Sequence, residues 1–263
     1  MTQVQRTSVA GSFYPGDAQR LQAAVRGYLA EAGTETGGPQ PVAIIAPHAG
    51  YVYSGPIAAN AYARLAPLRG RIRRVVLIGP AHRVPFRGLA VSGADAFETP
   101  LGTIPLDRDA IAAISTLPQV KRLDAAFDGE HCLEVHLPFL QTVLGDFKLV
   151  PIVAGDASGA DVAEVLEILW AGPETLPVIS SDLSHYHDYA TARRRDQETS
   201  RTIEAMAGER LDRDDACGRV PIAGLLSVAR KRGFTATTVD LRNSGDTAGP
   251  RDEVVGYGAW VVA

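Results

Sequence analysis

Three short apolar runs in this 263-residue chain each end in a polar turn that carries a histidine, and that repetition constrains the fold more than any other feature. Val42-Ala43-Ile44-Ile45-Ala46 breaks at Pro47 and delivers His48. Arg74-Val75-Val76-Leu77-Ile78 breaks at Gly79-Pro80 and delivers His82, and Leu176-Pro177-Val178-Ile179 runs into Ser180-Ser181-Asp182-Leu183-Ser184-His185. Runs this short, rich in β-branched residues and without polar alternation, read as strands buried on both faces, as in a parallel sheet. Loops at the carboxyl ends of such strands line the crevice where ligands bind. The repetition therefore puts three histidines on one edge of the sheet.

Between these runs the pattern changes to helical spacing. Asp17 opens an amphipathic stretch to about residue 31, and Gly33–Gln40 reads as a polar loop. Helices are predicted over about 55–65, 107–115 with Asp107 as cap, 128–144, 160–170, 189–206 and 221–232. Strands are predicted near 88–92, 147–153, 234–240 and 254–262, and Pro100, Gly102 and Pro105 mark 97–106 as irregular. Alternation of this kind predicts a single α/β domain over 1–263, with a mainly parallel or mixed central sheet flanked by helices.

Hydrophobic residues make up 46% of the chain and charged residues 21%, which fits an ordinary globular domain. A net charge of −4 gives no electrostatic footprint for nucleic acid or an anionic membrane. A small molecule or a peptide is the expected ligand. No apolar run approaches the ~18 residues of a membrane span. The two cysteines, Cys132 and Cys217, match neither a disulfide framework nor a zinc knuckle, so reduced thiols and a cytoplasmic location are expected.

All six histidines lie between 48 and 187. Imidazole is both a common transition-metal ligand and the side chain best suited to proton exchange near neutral pH, so strand-end histidines point to a metal or acid/base site. Asp182 and His185 read as an orienting carboxylate and an acid/base imidazole, or Asp182 as a helix cap. Tyr51, Glu130 and His131 are the expected substrate contacts. His131 and His136 are five residues apart rather than the four of H-E-x-x-H, which disfavours a zincin. No G-x-S-x-G or phosphate-loop motif is present. Asp246, in Asn243-Ser244-Gly245-Asp246-Thr247, is the best remaining source of an anionic ligand.

These segments, with Val9 to Pro15, Glu130 to Leu140 and Val254 to Tyr257, resemble the Memo family, known in prokaryotes as AmmeMemoRadiSam system protein B. The resemblance implies a fold similar to class III extradiol dioxygenases, which are non-haem iron enzymes. It implies that His48 and His82 are metal ligands and His185 the acid/base, with Asp246 or its neighbour Thr247 at the third ligand position. The implied metal is iron(II), with zinc, manganese and copper as alternatives. It also implies a functional link to radical SAM and AMMECR-type proteins. A binding module without turnover, or a metal-dependent hydrolase, are the alternative readings.

Overall fold

The computed structural model describes residues 3–32 and 40–263, so most of the Gly33–Gln40 loop lies outside the described residues. In chain order the elements are β1 (Val4–Gln5), α1 (Ala18–Glu31), β2 (Ala43–Ala46), α2 (Tyr51–Ala63), β3 (Arg74–Pro80), β4 (Leu89–Val91), β5 (Ala96–Thr99) and β6 (Gly102–Pro105). They continue with α3 (Arg108–Ile114), β7 (Val120–Arg122), α4 (Leu137–Leu144), β8 (Lys148–Ala154), α5 (Gly159–Leu169), β9 (Thr175–Ser180), β10 (His185–His187), α6 (Tyr189–Glu204), α7 (Arg219–Lys231), β11 (Ala236–Asn243) and β12 (Val254–Val262). Among the described residues nine strands form one mixed sheet in the order β10-β12-β2-β9-β3-β8-β4-β7, with β11 also paired to β12. Its centre, β2-β9-β3-β8, is parallel, whereas β12 runs antiparallel to β2 and β4 antiparallel to β8. The predicted single α/β domain with helices against a mixed sheet is the observed fold.

The central strands are buried along almost their whole length, as their unbroken apolar sequences require. Side-chain caps set two helix starts the sequence marked: Asp17 accepts from Arg20 N and Asp107 from Ala110 N. Two expectations change. Residues 97–106 are not irregular but hold the hairpin β5-β6, because Pro100 lies at its tip and Gly102 takes a φ of +122°. The helix expected from 128 begins only at Leu137, since Glu130 spends its carboxylate on its own turn, where it accepts from the backbone of His131 and Cys132.

The parallel register positions the site. Ala46 is paired with Ser180 and Ile78 with Ile179, so the chain leaves β2, β9 and β3 at one edge and at nearly one level. His48 and Asp182, each two residues past paired positions, emerge side by side, and the backbone N–H of His48 donates to Asp182 Oδ1 at 2.8 Å.

Candidate metal centre

Three histidine rings meet at this edge. His48 and His82 have ring centroids 5.1 Å apart, His48 and His131 5.4 Å, and His82 stacks on His131 at 4.6 Å. One ring nitrogen from each lies within 4.8 Å of the others. His48 is buried, while His82 lies nearer the surface.

The hydrogen bonds fix which nitrogens are free. Ser180 has one hydroxyl proton, and at 2.6 Å it is donated to the carbonyl of Cys132, which can only accept. The same oxygen lies 2.6 Å from His48 Nδ1, so His48 must carry its proton on Nδ1 and present a bare Nε2. At His82 the backbone N–H and Nδ1 both reach the Glu130 carboxylate, at 2.7 and 2.9 Å. Burial alone would raise Glu130, but hydrogen bonds from the His82 ring and from the backbone of His82 and Cys132 pull it down to about 2. Glu130 is therefore an anion that holds the His82 proton on Nδ1 and leaves Nε2 open. This is the arrangement by which carboxylates orient metal-binding histidines.

Burial favours the neutral form of His48 and of His131. It holds His48 well below the ordinary histidine range, with repulsion from His82 and His131 added, and lowers His131 to about 4. His131 Nδ1 is buried without a hydrogen-bond partner among the described residues. Three clustered imidazoles, two of them with Nδ1 held by a partner and one with an orphaned buried nitrogen, fit a divalent cation of the zinc, iron or copper kind.

The other expected residues fall elsewhere. Asp246 is exposed at the start of the loop after β11, where it accepts from Tyr189 Oη at 2.6 Å and Asn243 N at 3.0 Å, and it is absent from the histidine group. Thr247 donates its hydroxyl to Ser244 O. The Asn243–Asp246 turn closes on itself as a capping box, so its carboxylate is already used. Tyr51 is likewise not on the cleft: its hydroxyl donates to Val135 O in the core. Asp182 neither orients His185 nor caps a helix, since Asp188 caps α6. Its Oδ2 lies 3.9 Å from His48 Nε2, and burial pushes its carboxyl up to about 7 against bonds from the backbone of His48 and Ala49. His185 sits on β10, where a register shift and a φ of +60° at Tyr186 leave Tyr186 74% exposed and His185 partly covered. Burial lowers His185, with repulsion from His82 and His187.

Cys217 is the residue that sequence reasoning missed. Its Sγ lies 3.4 Å from His48 Nε2 and accepts from Asp182 N at 3.3 Å; burial, reinforced by the charge of Asp182, pushes the thiol up to about 12. The only sequence signal was the glycine after it. A Cβ on Gly218 would come within 2.5 Å of Ser180 O, so only glycine lets the start of α7 press onto the end of β9 and bring Cys217 in.

Comparison with known proteins finds relatives along nearly the whole chain. A MEMO1 family protein of Thermotoga petrophila is 35% identical over 96% of this chain and 97% of its own length. MEMO1 family proteins of Pyrobaculum aerophilum and Aquifex aeolicus are each 34% identical, over 97% of both chains. The crystal structure of an uncharacterized protein from Escherichia coli K12 superposes with a TM-score of 0.50 at 12% identity, covering 85% of this chain and all of that one, and so shares its fold. No helix of the described residues is long and apolar enough to cross a membrane. A family profile described as Memo-like protein matches residues 5–261, and with relatives of this similarity along its whole length the chain belongs to the Memo family.

Proposed function

We propose that this Memo-family chain is a metal-dependent, dioxygenase-like oxidoreductase, with His48, His82 and His131 holding iron(II). The observation that carries the metal is the pair of bare Nε2 atoms on His48 and His82, each fixed by a partner on its Nδ1. Resemblance to the class III extradiol dioxygenases supports the choice of oxygen chemistry. Bound iron(II) would supply redox activation of dioxygen beside an organic substrate. The chain's own residues supply the rest. Ser180 and Glu130 keep the two rings in one tautomer, Asp182 holds or releases a proton at Oδ2, and His185 serves as the acid/base toward the substrate.

A second reading, a zinc-dependent hydrolase, is favoured by one observation: the cluster is all imidazole, and three histidines are a known catalytic zinc set. Metal analysis of protein purified without oxygen, followed by oxygen-uptake assays with catechols and hydrolysis assays with esters, decides between them. Iron with oxygen consumption supports the first reading. Zinc with hydrolysis replaces it by the second, and protein that binds no divalent metal overturns both.

A further inference from the structure

Beside the histidine cluster lies a cleft of about 850 Å³ whose lining includes His82 and Cys217. Arg83 and Arg87, from the loop after β3, and Arg213 and Arg219, from the start of α7 and the segment before it, also line it; Asp156 is the only carboxylate in this lining. None of the four guanidiniums has a hydrogen-bond or ion-pair partner among the described residues. Some arginines elsewhere are paired with carboxylates, as Arg74 with Asp107 and Arg242 with Asp240. The chain as a whole carries net negative charge.

Four unpaired guanidiniums around one opening repel each other, and an oxyanion between them removes that repulsion. Arginine's planar fork matches carboxylate and phosphate oxygens in particular. The four come from segments over a hundred residues apart in sequence, so the fold, not a local charge run, gathers them. We propose that this cleft binds the anionic end of the substrate: a small molecule carrying a carboxylate or phosphate, gripped by Arg83, Arg87, Arg213 and Arg219, with its other end directed at His82 and Cys217. The anion site stands on the arginines alone; the identity of the reacting end rests on the metal reading above.

The test is calorimetric titration of the full chain, stripped with EDTA, with inorganic phosphate and, separately, succinate. At least one probe binds in low salt, and which one binds more tightly assigns phosphate or carboxylate. The affinity falls at least tenfold in the variant Arg213→Gln/Arg219→Gln, further when Arg83→Gln and Arg87→Gln are added, and also on raising salt to about 0.5 M in the unmodified protein, where screening is strong. Thermal melting identifies any variant that fails to fold, and the salt dependence of the unmodified protein does not rely on variants. His48→Ala keeps the anion affinity although it loses metal, so failure of the metal reading leaves this result intact. Absence of binding by both probes, or a folded quadruple variant that binds like the unmodified chain, overturns the proposal.

Discussion

The hydroxyl of Ser180 and the carboxylate of Glu130 each do one thing for the proposed centre: they decide where a histidine keeps its proton. Removing either leaves a ring free to turn or to change tautomer. Second partners of this kind typically contribute 10–100-fold to metal affinity. Glu130→Gln and Ser180→Ala are therefore expected to weaken metal binding by roughly that factor while the protein stays folded, as read by competition with a chelator. Asp246→Ala is expected to leave metal affinity unchanged, because its carboxylate serves Tyr189 and its own turn. That His48 and His82 lie together was legible in sequence because a strand end fixes where the next two or three residues point. Asp246 misled for the same kind of reason: a carboxylate on a glycine-bearing turn after a strand has the right surroundings, but this turn satisfies itself locally. Cys217 left only the glycine after it as a signal, because its approach depends on α7 packing onto β9, a contact with no trace in local periodicity.

Packing between elements holds the site together. A Cβ on Gly79 would stand 2.7 Å from Cys132 Sγ and 3.0 Å from Leu133 Cδ2, so the His131–Cys132 turn rests directly on β3. Gly79→Ala should therefore cost roughly 1–3 kcal/mol by overpacking and displace His131, read as a lowered midpoint in urea together with reduced metal affinity. The amino-terminal segment is fastened to the same region through Glu134, which accepts from Ser8 N, Val9 N and Tyr14 Oη. Tyr14→Phe removes one of these bonds and is expected to cost roughly 1–2 kcal/mol. A second carboxylate gives a pH signature. Asp196, on α6, accepts from Ser184 N beside β10, and burial raises it to about 6. The folded state thus binds a proton that the unfolded chain has already released between about pH 4 and 6, so this group lowers stability as pH rises through that window, with the full cost present above it. Asp196→Asn should match the unmodified protein near pH 4 and exceed its stability near pH 7 by up to roughly 3 kcal/mol, checked by denaturant titrations across the range.

On the scale of the molecule, one mixed sheet gathers segments from residues 48 to 217 at a single edge. The alternation of strands and helices made that architecture readable, since each central strand is an unbroken apolar run and most helices show their own periodicity. The antiparallel flanks, β12 beside β2 and β4 beside β8, were not readable, because a buried strand looks the same whichever way its neighbour runs. The function proposed for this edge depends on three imidazoles sharing one cation. Metal content per chain, measured on protein purified without oxygen, tests that most directly. Roughly one divalent ion per chain is expected in the unmodified protein and in Asp246→Ala, and none in folded His48→Ala or His82→Ala, because a catalytic site of this class needs at least three protein ligands. Undiminished metal in His48→Ala, or its loss in Asp246→Ala, would contradict the account.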